Sequence, residues 1–179
     1  VASGFETAYW VWQREEPLSE TDLAELAAQE VQTIYWQVGE LENAGEQWRW
    51  KARFPFPAAK TSAPRYVPVV RLVSRERQPF ATAATAALMI ALSPVAKLGN
   101  ELQLDYDAPD RLLRDYSDAL GKIHALTPRL SITALPHWSR ADCLSLLQDK
   151  VDEFLPMLYD FEPEPFLQSA APLPLIAPP

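Results

Sequence analysis

Short apolar runs alternate with amphipathic stretches along most of the chain. Tyr9-Trp10-Val11-Trp12-Gln13 is aromatic and β-branched, which predicts a strand. Ser19-Glu20-Thr21-Asp22 has the form of a capping box, and Leu23, Leu26, Ala27 and Val31 follow on one helical face. Thr33 to Val38 predicts a second strand and Val67 to Val73 a third. Pro79 opens an apolar helix from Phe80 to Leu92. Leu102 to Asp107 predicts a fourth strand, and Pro109 then opens a helix with Leu112, Tyr116, Leu120 and Ile123 at helical spacing. Leu130 to Leu135 predicts a fifth strand. Ser139-Arg140-Ala141-Asp142 has the form of another capping box, and its helix carries Leu144, Leu147 and Val151. Phe154 to Tyr159 predicts a sixth strand.

One segment breaks this rhythm. From Trp48 to Phe54, Trp48, Trp50, Ala52 and Phe54 alternate with Arg49, Lys51 and Arg53, the pattern of a half-buried strand. The turn signal Asn43-Ala44-Gly45 just before it predicts a hairpin with the second strand. Pro55, Pro57 and Pro64 follow, and no helix is evident where an α/β repeat would place one.

Strands alternating with helices imply a parallel sheet with right-handed crossovers, and near-continuous apolar strands such as Val67 to Val73 imply burial on both faces. No Gly-rich phosphate loop follows the first strand, and the chain has only five glycines, which disfavours a nucleotide-binding sheet. Polar residues instead collect at the C-terminal strand ends: Arg14, Glu40, Arg71, Asp105, Asp107, His137, Tyr159 and Asp160. Barrel enzymes place their sites there. The expected fold is therefore α/β, a (β/α)8-type barrel that is incomplete, with about six strand units and a β-hairpin insertion near residues 40–54. Residues 1–161 form the partial barrel domain and 162–179 a proline-rich tail. A full barrel takes roughly 250 residues. A sheet stopping at six strands would leave open edges, so the expectation is a partner chain that closes it, or a longer native protein of which this is a piece.

Composition narrows the function classes. The net charge of −8 makes the chain a poor partner for phosphate backbones or anionic membranes. The single cysteine, Cys143, allows no disulfide within the chain, and two histidines, His124 and His137, are too few for a His-based metal cage. No metal or cofactor is expected. The longest apolar run, Phe80 to Leu92, is too short to span a bilayer.

The fourth strand carries the most chemistry. Side chains alternate along it, so Gln103, Asp105 and Asp107 share one face, facing the lumen in a barrel, and Leu102, Leu104 and Tyr106 the other. Carboxylates at i and i+2 lie about 6–7 Å apart, and like charges at that range split their pKa values, which suits one of them for acid work. The plainer alternative is that Asp107 starts the next helix and Asp105 pairs with Arg71. Six tryptophans are many for this length, and sugars stack on such rings. Trp138, just past strand five and beside His137, is the best-placed candidate platform, although Trp is largely buried on average.

At this strand the chain resembles the family 18 glycoside hydrolases, whose strand four reads D-x-x-D-x-D-x-E. Asn100, Gln103, Asp105 and Asp107 stand at the same spacing: the third position matches, the first two are amides and the last is one methylene short. Met157-Leu158-Tyr159-Asp160-Phe161 matches the family's M-x-Y-D at the end of strand six, and Leu130 to Pro136 is similar to its strand five. The strand-three S-x-G-G pattern is replaced by Val70-Arg71-Leu72-Val73, and the Trp of the last strand has no counterpart. Over its whole length the chain is more similar to a bacterial family of unassigned function, domain of unknown function 3142. That resemblance rests on Val11 to Arg14, Val69 to Leu72 and Leu102 to Asp107.

The family 18 resemblance implies substrate-assisted cleavage of an N-acetylated polysaccharide. It makes Asp107 the acid, Asp105 the group that orients the N-acetyl, and Tyr159 a donor to its carbonyl. Gln103, Arg71, Trp138, Asp160 and Glu40 would line the substrate site. The protein would be secreted, periplasmic or associated with the cell envelope, with a polysaccharide or oligosaccharide as partner and no nucleic acid. Two competing readings remain at this level: a non-catalytic carbohydrate-binding module and a structural subunit of an assembly.

Overall fold

The structure is a computed structural model that describes residues 6–57 and 64–157. Seven strands and four α-helices alternate in it: β1 (Thr7–Val11), α1 (Glu20–Ala28), β2 (Val31–Ala44), β3 (Gln47–Arg53), β4 (Arg65–Ser74), α2 (Thr82–Leu92), β5 (Leu102–Asp105), α3 (Leu113–Ile123), β6 (Leu130–Ala134), α4 (Ala141–Leu147) and β7 (Glu153–Pro156). Six strands pair in parallel in the order β1-β2-β4-β5-β6-β7, and β3 lies antiparallel on β2. The sheet is a curled half-barrel flanked by helices.

The expected six-unit incomplete barrel and its hairpin are both present, with local differences. β2 runs fourteen residues, well beyond Val38. Its first half pairs with β1 and its second half with β3, so β1 and β3 lie end to end along one edge of β2. β1 stops at Val11, short of Gln13, because Gln13 turns to φ 51° and its N–H donates to the Gln37 side chain at 3.0 Å. Val31 begins β2 and does not extend α1, which ends at Ala28; Glu30, between the two, takes a left-handed φ of 56°. Ser19 forms the expected capping box with Asp22. Ser139 does not: its hydroxyl donates to the Pro136 carbonyl inside a single 3-10 turn, and α4 starts one residue later without a side-chain cap.

The hairpin closes with a two-residue turn, Gly45-Glu46, between the paired residues Ala44 and Gln47. Gly45 takes φ 62°, a value that costs glycine nothing. Gly39 serves a different need. A Cβ there would lie 2.5 Å from the Ala52 carbonyl oxygen and 2.7 Å from the Trp50 ring. Gly39→Ala is therefore expected to force β3 off β2 and to cost about 2 kcal/mol, the usual penalty of overpacking, measured as a lower urea midpoint.

Two packed layers result. On the convex side, Ile34, Trp36, Leu41, Val70, Leu72, Leu102, Leu104 and Ile132 meet Leu88, Leu92, Leu113, Tyr116, Leu120 and Leu147 from the helices. On the concave side, Tyr35, Val67 and Val69 pack with Ala8, Trp10 and Leu155, which brings residues of β1 and β7, at opposite ends of the strand order, onto one cluster. Trp10 stacks on Tyr35 at 4.6 Å, and its indole N–H reaches Gln103 on β5 at 2.8 Å. That bond passes over the two strands between β1 and β5, β2 and β4, and fills the lumen of the curl.

The N-terminal mouth is closed by charge. Glu101, almost fully buried, accepts from Arg65 at 2.6 Å and from the Ser131 hydroxyl at 2.6 Å, with Arg129 at 3.4 Å. Arg129 also pairs with Glu153, and Arg65 with Glu6. In barrel folds this end serves stability, which leaves the opposite mouth for chemistry. No described helix is long and apolar enough to cross a membrane.

Candidate functional site

At the C-terminal mouth the strand register sets a row of charged side chains across the concave face. Glu40 of β2 stands beside Arg71 of β4, and Arg71 beside Asp105 of β5. Lys51 of β3 adds an ion pair to Glu40 at 2.8 Å. On the far side the Thr133 hydroxyl of β6 donates to Asp105 Oδ1 at 2.7 Å. Arg71 Nε lies 3.8 Å from Asp105 Oδ2, so each carboxylate oxygen has its own partner. The sequence pattern of β5 explains the placement: Leu102 and Leu104 are spent on the helix side, which turns Gln103 and Asp105 to the lumen.

The shared face for Gln103 and Asp105 is present, but the strand ends at Asp105. Tyr106 and Asp107 continue as the loop that leads to a 3-10 turn at Asp110–Leu112. Tyr106 folds back into the helix-side aromatic cluster, 5.2 Å from Tyr116 and 5.3 Å from Phe80. Asp107 is exposed. Arg71, Leu72, Ser74, Asp105, Tyr106 and Asp107 line a small cleft of about 140 Å³.

Burial raises the Asp105 pKa, and the negative charge of Asp107 raises it further; the Thr133 hydrogen bond and Arg71 oppose both. Because the folded protein holds this proton to a higher pH than the unfolded chain, the contribution of Asp105 to stability is greatest below the ordinary carboxyl range. It is lost as pH rises from that range through the folded value. A carbon-13 NMR titration is expected to place the Asp105 midpoint above that of a free aspartate, and a midpoint at or below it would contradict the geometry.

The other expected site residues divide. Glu40 and Arg71 line the mouth, as do Asp105 and Asp107. Gln103 lies one layer deeper, fully buried, with its oxygen committed to Trp10 and its nitrogen 3.5 Å from Ser131. It props the lumen beneath the mouth. Trp138 is corrected: it is 2 % exposed, packed near Tyr116, so its ring is core and not a sugar platform. The 3-10 turn at Pro136–Ser139 folds the ring inward, where a large apolar surface gains most from burial. His137 pairs with Asp110 at 2.9 Å on the surface, away from the carboxylate row. Tyr159 and Asp160 lie outside the described residues.

Sequence reasoning missed Thr133 and Lys51. Both act through cross-strand register, and only the lumen parity of Thr133 in Leu130 to Ala134 carries a hint of it. Among the described residues no group of three His, Cys, Asp or Glu side chains could hold a metal ion. No family model, no curated protein and no solved structure matches this chain.

Proposed function

We propose that this half-barrel takes a polysaccharide or oligosaccharide at the C-terminal mouth of β4 and β5, with Asp107 as the acid of a glycoside-hydrolase-like site. The observation that carries the reading is the pairing of a buried, doubly held carboxylate, Asp105, with an exposed one, Asp107, in a single cleft. Two carboxyl groups in different surroundings take different roles; burial favours the proton on Asp105, and it is the spacing of the resembled motif that assigns the acid to Asp107. Asp105, fixed by Thr133 and Arg71, orients a polar group of the sugar. Asp107, at the rim, reaches the glycosidic oxygen and delivers a proton to the leaving group. The family 18 resemblance at Asp105 and Asp107 supports an N-acetylated sugar.

A second reading is a non-catalytic carbohydrate-binding or structural subunit of a cell-envelope assembly. It is favoured by the acid position itself, where Asp stands one methylene short of the Glu in the resembled motif; a misplacement of about 1 Å can cost a hundredfold in rate. Under either reading a partner chain has a place to pair, since β1 and β7 are each paired on one side only among the described residues. An assay of turnover and binding on chito-oligosaccharides and plain glucans separates the two. Turnover supports the hydrolase, and binding without turnover supports the second reading. Neither activity on any glycan overturns the hydrolase and the carbohydrate-binding module and leaves the structural subunit.

A further inference from the structure

The cleft at Asp105 and Asp107 is lined on one side by the end of β4, Arg71 to Ser74. The chain runs directly on into Arg75-Glu76-Arg77-Gln78, and these four residues, with Gly45, Glu46 and Ala81, line an open cleft of about 640 Å³. Adjoining residues of one segment thus line the two clefts.

The larger cleft differs in its charge. Arg71 and Lys51 at the mouth are already tied to Asp105 and Glu40. Arg75 and Arg77 are exposed and have no acidic side chain within ion-pair distance among the described residues. Glu76, between them, is drawn toward the hairpin turn, where its carboxylate accepts from the Gly45 N–H at 3.3 Å. Glu46 and Glu76 line the same cleft, so the attraction is local to two guanidinium groups and is not a broad positive field. Surface arginines without partners are commonly only solvated; here they stand on the segment that runs on from the candidate site.

We propose that the polysaccharide taken by this site is anionic, with a carboxylate-bearing sugar held at Arg75 and Arg77 while the adjoining sugar lies over Asp105 and Asp107. This inference rests on the carbohydrate reading above and names its substrate class. The guanidinium fork matches a carboxylate with two parallel hydrogen bonds, and neutral sugars offer no such acceptor.

The test is calorimetric titration at low ionic strength with an oligogalacturonate and a chito-oligosaccharide of equal length. Wild-type protein and Arg75→Ala/Arg77→Ala are compared after their melting temperatures are shown to agree. Tighter binding of the oligogalacturonate is expected, with a loss of about tenfold for it in the variant and a far smaller change for the neutral ligand. Neutral ligand bound at least as tightly as the acidic one, or equal weakening of both in the variant, would overturn the anionic assignment and leave the carbohydrate reading standing. If neither ligand binds, this inference fails, and the carbohydrate reading is decided by the wider glycan assay.

Discussion

Under the hydrolase reading, Asp107→Asn is expected to lower glycan turnover on the order of 10³-fold, within the range that one positioned proton donor supplies. The substitution keeps the shape of the side chain and removes the proton. Asp107 is exposed, makes no salt bridge with any described residue and lies past the end of β5, so the melting temperature should not move. The comparison with Asp107→Glu is informative, because one added methylene restores the reach of the acid in the resembled motif and should leave turnover equal or higher. Steady-state kinetics on a chromogenic N-acetylated oligosaccharide reads both variants. Turnover that survives Asp107→Asn would assign the proton to another group.

Trp10→Ala should produce the largest loss of stability among substitutions on the concave face, about 3 kcal/mol. Trp10 is only half-buried, but it does two jobs. It stacks on Tyr35, and it satisfies the oxygen of a fully buried glutamine three strands away. Removing it opens a cavity in the lumen and strands the Gln103 carbonyl without a donor, a penalty that adds to the lost packing. Trp10→Phe, which keeps a stacking ring and drops the N–H, should recover part of the loss. The part it does not recover measures the bond to Gln103. Chemical denaturation followed by tryptophan fluorescence and circular dichroism checks both; an unchanged midpoint for Trp10→Ala would mean that the lumen is held together from elsewhere.

Much of the fold was legible because strands buried on both faces leave near-continuous apolar runs, as Val67 to Val73 does, while Leu130 to Ala134 is short and wholly buried. The hairpin was legible from the strict alternation of Trp48 to Phe54 and from Gly45. What escaped depends on partners distant in sequence. The strand expected to end at Val38 runs on to Ala44: Glu40 and Glu42 interrupt its apolar pattern, and the pairing with β3 and β4 on either side holds it extended. Ser139 has the spacing of a capping box, yet its hydroxyl donates to the Pro136 carbonyl within the 3-10 turn, and Arg140 takes the N-cap position. Trp138 lies beside polar residues in sequence, but the turn that carries it points into the aromatic cluster.

The candidate site was legible to a similar depth. Face parity along one strand placed Asp105 correctly, since alternation is a local property. It could not show that Gln103 on the same face is taken by Trp10, nor that Thr133 holds Asp105. Glu101, the most buried carboxylate of the described residues, drew no attention in the sequence, because nothing near it foretells Arg65 and Arg129. Its network at the N-terminal mouth is the counterpart of the row at the C-terminal one. The first is closed by mutual pairing, and the second keeps an exposed carboxylate at its rim.

The most direct measurement of the central claim is a crystal structure of the protein soaked with a chito-oligosaccharide. The account predicts sugar density in the cleft between Arg71 and Asp107, with a polar substituent within hydrogen-bond distance of Asp105 and the glycosidic oxygen facing Asp107. Sugar bound elsewhere on the molecule, with the cleft at Asp105 and Asp107 holding only solvent, would contradict it.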